Sequence, residues 1–378
     1  VSFTPAEVAF LAKGTFDHPE LTLSARTQLA DVQALRALYG PNARAVAELI
    51  KARRSGKFPH TWLADADSAQ QATPPTVATW RAEFLKSLGA RSVVDVTCSI
   101  GTEGHAAIAA GLDYAGADLD FSRLLMARHN VANVPFMLAD ALAPAVRPRP
   151  GSVIVADPAR RAGGKRITDP AKLQPPLPDL LDTWRGAEMA VKCAPGLDFS
   201  EWEGQVAITS VAGAVKEACL FTPGLAAGRR AVMLDSQGAT DCVDSAMPDD
   251  VEAGAPGRYI IDPDGAVVRA GLVRHYAKRE GLWQIDEHLA YLTGPRIPAG
   301  RSGFEILEQV PMKKLRSALT AYGCGSVEIL VRGVDVDPDV LRKRLKLKGK
   351  RPLSVVIARV GKGAVAFICG PRVSSEAV

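Results

Sequence analysis

Four aspartates are spaced so that each follows a short apolar run. Asp95 ends Ser92-Val93-Val94-Asp95, Asp118 ends Tyr114-Ala115-Gly116-Ala117-Asp118, Asp140 follows Phe136-Met137-Leu138-Ala139, and Asp157 ends Ser152-Val153-Ile154-Val155-Ala156-Asp157. Runs of this kind read as strands buried on both faces, and in open α/β sheets ligands lie beyond the carboxyl ends of the strands. Carboxylates there can hold the amino and hydroxyl groups of a ligand. Asp95 leads into Val96-Thr97-Cys98-Ser99-Ile100-Gly101-Thr102-Glu103-Gly104, a strand-to-helix turn in which Gly101 and Gly104 would let a ligand approach the backbone closely. Thr97, Cys98 and Thr102 belong to the same turn; Cys98 has no neighbouring base and reads as packing.

A Gly-containing turn is also what a tight connection needs with no ligand at all. The series of acids discriminates. Asp95 suits the amino group of an amino-acid moiety, Asp118 a ribose, with Leu119 beside it and Asp120 as a second candidate, and Asp140 an adenine amino group. The chain contains no G-x-G-x-x-G, so this order favours S-adenosylmethionine over a dinucleotide. Asp157-Pro158-Ala159-Arg160 then stands where an acceptor must meet a methyl group. The protein's task there is to align nucleophile, methyl and sulfur, which Asp157 can do while holding an acceptor proton. Arg160, Arg161, Lys165 and Arg166 surround Gly163-Gly164 and read either as a phosphate clamp or as a solvated basic loop. Lys192 and Asp198 flank the turn after the next apolar run and are further candidates for the acceptor pocket.

The elements that position these residues follow from periodicity. Residues 1–90 read as helical: Thr4-Pro5-Ala6-Glu7 is a capping box, and Ser24 is placed to cap a helix carrying Leu29, Val32, Leu35 and Leu38 that Gly40 stops. Further helices are expected over 42–54 and 76–88. Over 91–235, apolar runs at 92–96, 114–117, 153–156, 188–193, 206–210 and 230–234 alternate with helical segments, which implies a mostly parallel sheet in a Rossmann-like layout. Residues 236–300 hold Gly and Pro turns and read as a connecting subdomain with short strands. Over 301–378 a helix (312–322), a strand (326–332), a helix (338–347) and two strands (353–359, 364–369) form an α+β unit.

The net charge of +5 is too small to announce a polyanionic partner, but its distribution is uneven. Met312–Arg351 holds eleven Lys and Arg against four Asp and Glu. Within it Leu341 and Leu345 share one helical face and leave Arg344, Lys346 and Lys348 among the cations of the other, a field suited to a phosphate backbone or to plain solvation. The six cysteines form no C-x-x-C pair and no His lies at metal-ligand spacing, so no metal and no disulfide framework is expected and a reducing cytoplasm fits. No run of about eighteen uncharged apolar residues is present, so no membrane span is expected. His105 and His129 read as capping or partly buried.

With these residues in view, the run from Val94 to Asp157 resembles class I S-adenosylmethionine-dependent methyltransferases. Asp95-Val96-Thr97-Cys98-Ser99-Ile100-Gly101 and Gly116-Ala117-Asp118-Leu119-Asp120 are similar to those of trimethylguanosine synthase-like enzymes, and the tail resembles the THUMP-like domain of a group of bacterial methyltransferases. The resemblance implies an α/β fold: a Rossmann-like methyltransferase domain with an N-terminal helical domain and a C-terminal α+β THUMP-like domain. It also implies methylation of structured RNA, tRNA or rRNA. Amine-methylating relatives have Asn or Asp, two prolines and a base-stacking aromatic where this chain has Asp157-Pro158-Ala159-Arg160, so an aromatic such as Trp184 would have to substitute. Two rival readings stay open: a methyltransferase acting on a protein or small molecule, and a non-catalytic adenosylmethionine-binding module that recruits RNA.

Overall fold

The computed structural model describes residues 3–158, 161–162, 165–166, 170–361 and 363–375. It divides into two compact units, 1–228 with 232–241, and 229–231 with 242–378.

The first unit opens with helices α1 (Pro5–Leu11), α2 (Gln28–Tyr39), α3 (Ala43–Arg53), α4 (Ala66–Gln71) and α5 (Pro75–Ser87). The α1 capping box is present, with Thr4 Oγ1 accepting from the Glu7 amide and the Glu7 carboxylate accepting from the Thr4 amide. Gly40 ends α2 at φ +54°, in the region that favours glycine. Two expectations for α2 fail. Its N-cap is Thr27, without a side-chain cap bond, and Ser24 contributes a carbonyl that accepts from the Gln28 amide. Leu35 is buried, whereas Leu29 and Leu38 are exposed. A spacing of three falls short of the α-helical turn, so residues three steps apart in such a series, as Leu29 and Leu38 are, drift onto opposite faces. Leu11, Leu35, Val46 and Leu49 form a core that also takes in Trp62, Leu63, Ile100 and Met126.

The sheet of this unit begins β1 (Ser92–Asp95), α6 (Thr102–Ala109), β2 (Asp113–Asp118), α7 (Phe121–Asn130), β3 (Phe136–Leu138) and β4 (Ser152–Ala156). The short pair β5 (Arg161–Ala162) and β6 (Lys165–Arg166) stands apart as an antiparallel two-stranded sheet. Then come α8 (Leu177–Thr183), β7 (Glu188–Cys193), β8 (Gln205–Val211), β9 (Ala214–Phe221), β10 (Gly228–Leu234) and β11 (Thr240–Asp244). The nine strands run in the order β11-β10-β8-β9-β7-β4-β1-β2-β3. β3, β2, β1, β4 and β7 are parallel, and β9 lies antiparallel between β7 and β8. The sequence reading has no strand at 214–221: β9 follows β8 through Ala212 (φ +47°) and Gly213 (φ +80°), with no intervening helix to mark it.

The second unit contains β12 (Tyr259–Ile261), α9 (Gly265–Arg269), α10 (Val273–Glu280), β13 (Trp283–Gln284), β14 (Leu292–Gly294), β15 (Ser302–Pro311), α11 (Leu315–Ala321), β16 (Cys324–Arg332), α12 (Pro338–Leu345), β17 (Arg351–Val360), β18 (Gly363–Cys369) and β19 (Val373–Ser374). The order β13-β14-β12-β15-β18-β17-β16 places β12, β13 and β14 in the same sheet as the tail, whereas β11, also within 236–300, belongs to the nine-stranded sheet. β16 and β17 are parallel across α12, while β18 lies antiparallel between β15 and β17. Leu315, Leu319 and Leu345 pack against Val327, Leu353, Val355 and Ile357, and Phe304, Phe367 and Val356 belong to a separate core with Ile260 and Tyr291. No helix among the described residues is long and apolar enough to cross a membrane.

Candidate active site

The turn after β1 is held from within. Gly101 has φ +90°, and a Cβ there would stand 2.8 Å from Val131 Cγ2; a Cβ on Gly104 would stand 2.6 Å from the Tyr114 ring. Both positions therefore need glycine for packing inside the protein. Cys98 is buried and its amide donates to the Ala117 carbonyl.

Asp95 also faces inward. Its side chain is 2% exposed, Oδ1 accepts from the Thr97 amide at 3.1 Å, and Oδ2 accepts from the Tyr114 hydroxyl at 3.2 Å. Burial, then the nearby Glu103 carboxylate, push its pKa up to about 7 against the pull of the Thr97 amide, Lys192 and Tyr114. Asp118 stands at the rim. Its Oδ2 accepts from the Ser99 amide at 2.8 Å, which supports Ser99 at φ +48°, and its Oδ1 accepts from the Asp120 amide at 2.9 Å. Asp120 is engaged as the cap of α7, accepting from the amides of Ser122 and Arg123. Asp140 is exposed and caps its own turn through the Leu142 amide. Leu119 (69%), Leu138 (60%) and Phe121 (52%) are exposed large apolar side chains at these strand ends. Apolar surface set among carboxylates fits a nucleoside, whose ring needs flanking contacts and whose hydroxyl and amino groups need acceptors.

At the end of β4, Thr97 Oγ1 accepts from the Asp157 amide at 2.6 Å, which ties the turn after β1 to the end of β4. Asp157 Oδ2 accepts from Lys192 Nζ at 2.6 Å, and Pro158 is buried. Lys192 is 3% exposed and also reaches Glu103 Oε1, at 3.3 Å. Glu103 in turn pairs with Arg81, which is fully buried and also pairs with Glu217. Burial depresses an arginine or lysine cation, but the surrounding carboxylates outweigh it, and both Arg81 and Lys192 lie above their ordinary values. Burial would raise Glu103, yet Arg81 and then Lys192 pull it below the usual carboxylate value.

Arg81 and Glu217 had no place in the sequence reading. The available signal was a charge inside an apolar run, as at Lys192 in Glu188-Met189-Ala190-Val191-Lys192-Cys193, since such residues are rarely buried unless paired. Trp184 does not substitute for the missing aromatic: it is 4% exposed and its indole N–H donates to the Ala141 carbonyl. His105 stacks edge-on to Trp62, and His129 Nε2 lies 3.1 Å from the Thr61 carbonyl oxygen. Asp198 accepts from the Ser200 amide in an exposed turn. Arg160 lies outside the described residues, and Arg161, Lys165 and Arg166 are described only as backbone of the β5–β6 pair. In the second unit Arg344, Lys346 and Lys348 are exposed around the end of α12 and form no ion pair among the described residues, with Lys346 in the left-handed region at φ +46°.

Residues 301–371 match the family model described as THUMP domain-like. Two proteins of Mycobacterium tuberculosis, from strains CDC 1551 / Oshkosh and ATCC 25618 / H37Rv, are each 45% identical over 365 residues, covering 89% of this chain and 99% of theirs; both are named uncharacterized S-adenosylmethionine-dependent methyltransferases. A crystal structure from Porphyromonas gingivalis W83, classed as that of a methyltransferase, aligns with TM-score 0.70 at 17% identity over 98% of this chain and 99% of its own, a likeness of fold. With that identity spread over nearly the whole chain, the protein belongs to the S-adenosylmethionine-dependent methyltransferases and carries a THUMP-like region at residues 301–371.

Proposed function

We propose that the enzyme methylates a base in structured RNA, tRNA or rRNA. The observation that carries this reading is the exposed run Lys343, Arg344, Lys346 and Lys348 at the end of α12, within the THUMP-like region, where Leu345 is buried and the cations have no ion-pair partners among the described residues. Free cations on a fixed helix end suit a phosphate backbone. In the first unit we assign Asp118, Leu119 and Asp140 to the nucleoside part of the donor. Thr97, Gly101, Thr102 and Gly104 shape the turn, and Asp95 and Cys98 support it from beneath. Bound S-adenosylmethionine supplies a methyl group already activated on a sulfonium. Asp157 accepts a hydrogen bond from the N–H of the acceptor base and orients it, Pro158 stiffens the strand end, and the segment Arg160, Arg161, Lys165 and Arg166 holds phosphate.

The test compares modified nucleosides, by mass spectrometry, in RNA from wild-type and deletion cells. Loss of one methylated nucleoside is expected and identifies base and atom together. Identical profiles in tRNA and rRNA would sink the RNA reading and turn attention to a protein or small-molecule acceptor.

A further inference from the structure

The carboxylate that ends β4 is gripped by a residue that the proposed chemistry has not used. Lys192 Nζ donates to Asp157 Oδ2 at 2.6 Å and to Thr73 Oγ1, and lies 3.3 Å from Glu103 Oε1. Sheet register explains why these groups meet. Val155 of β4 pairs with Ala190 of β7, so Asp157 and Lys192, two residues on in each case, project from the same face. Lys192 pairs with Cys219 of β9, Glu217 alternates with Cys219, and Thr209 of β8 pairs with Glu217, so the same face carries all of them. α6 adds Glu103 and α5 adds Arg81. The result is a chain of alternating sign, Asp157, Lys192, Glu103, Arg81, Glu217, with Asp95 as the remaining acid near it.

A buried ammonium is costly, and a fold that needed only stability could place an apolar residue here. The contact is instead aimed outward, at the one member of the chain that is appreciably exposed: the Asp157 side chain is 28% accessible against 3% for Lys192. We infer that Lys192 is a positioning residue for methyl transfer, holding the Asp157 carboxylate in a fixed direction as a hydrogen-bond acceptor for the group that receives the methyl. Thr73 and Glu103 hold Lys192 in turn, so its ammonium cannot follow a shifted carboxylate. The inference rests on the reading that Asp157 faces the acceptor.

Two measurements separate the two ideas. The first needs no acceptor: the Asp157 carboxyl is titrated by carbon-13 NMR in the full-length protein, its signal identified by loss in Asp157→Asn. Removing the neighbouring cation in Lys192→Met should move that titration to higher pH, and Lys192→Arg, which keeps the charge, should return it towards wild type. The second is turnover with tritiated donor on total RNA from a deletion strain. Lys192→Met should lower kcat on the order of ten- to a hundredfold and shift the acid limb of the rate profile upward, while donor affinity by calorimetry stays near wild type. If Lys192→Met does not fold, Thr73→Val removes one anchor without a change of charge and should lower kcat with the donor KM unchanged. An unmoved Asp157 titration in Lys192→Met, or wild-type kcat in Thr73→Val, would overturn the role of Lys192. Full turnover in Asp157→Ala would instead remove the reading on which it stands.

Discussion

Replacing Arg81 with Met tests the buried ion chain where it is most fully enclosed. Arg81 is fully buried and its guanidinium pairs with both Glu103 and Glu217. Methionine fills a similar volume, so the main loss is charge: two carboxylates, one in α6 and one in β9, are left without their common partner. Breaking a buried pair by deleting one partner costs about 3–5 kcal/mol, because the remaining charge stays in a poorly solvated site. Glu103 keeps Lys192, whereas Glu217 has no second ion pair among the described residues, so the greater part should fall on Glu217. The pH dependence has a definite sign. In the wild type Glu103 is held below its ordinary value, so its contribution is present above the unfolded-state pKa and lost as pH falls through the folded value. In Arg81→Met that hold is weakened and protonation becomes the cheaper state. The deficit should therefore be largest near pH 8 and shrink by pH 5. Urea unfolding followed through Trp80, which is 7% exposed on the same helix, reports on this unit. The double variant Arg81→Met with Glu217→Met removes an orphaned charge and should recover stability relative to the single variant. A deficit under about 1 kcal/mol at pH 8, or one that does not change with pH, would refute the reasoning.

Three further outcomes follow from the same geometry. Asp118→Ala should weaken donor binding by roughly 1.5–3 kcal/mol through lost charge-assisted hydrogen bonds, and unchanged affinity in calorimetry would remove Asp118 from the site. Asp95, raised from 3.8 to about 7, binds its proton in the folded state where the unfolded chain has released it, so its contribution to stability falls as pH rises between those values. Asp95→Asn should therefore gain on the wild type by up to about 4 kcal/mol between pH 4 and pH 7 and no further above it; a difference that is flat in urea titrations at pH 4.5 and 7.5 would contradict this. Reversing Arg344, Lys346 and Lys348 to Glu should flatten the salt dependence of RNA binding as fewer counterions are released, and an unchanged slope in filter binding would make the run a solvated face.

The strands and the acids at their ends were legible because burial on both faces of a parallel sheet leaves an apolar run whose last polar residue stands out, as at Asp118 and Asp157. The tail was legible because α12, β17 and β18 carry local signals: a helical leucine pair and two short apolar runs. What was not legible depends on partners far away in sequence. No local pattern shows that 259–294 supplies strands to the sheet of the tail, or that β9 inserts between β7 and β8, since both are settled by long-range pairing. The packing need for Gly101 and Gly104 was not legible either, because Val131 and the Tyr114 ring, which a side chain there would strike, are brought close only by the fold. Asp95 differs from the other strand-end acids for a related cause. It ends β1, which is flanked by β2 and β4, and there the Tyr114 hydroxyl donates to it and the Glu103 carboxylate lies near. Asp118, one strand further out, keeps its carboxylate at the rim. Acids that look equivalent along the chain are thus sorted by their surroundings: Asp95 is enclosed and accepts from the Thr97 amide of the turn, Asp118 and Asp140 lie nearer the surface, and Asp157 is held by Lys192 from the next strand, β7.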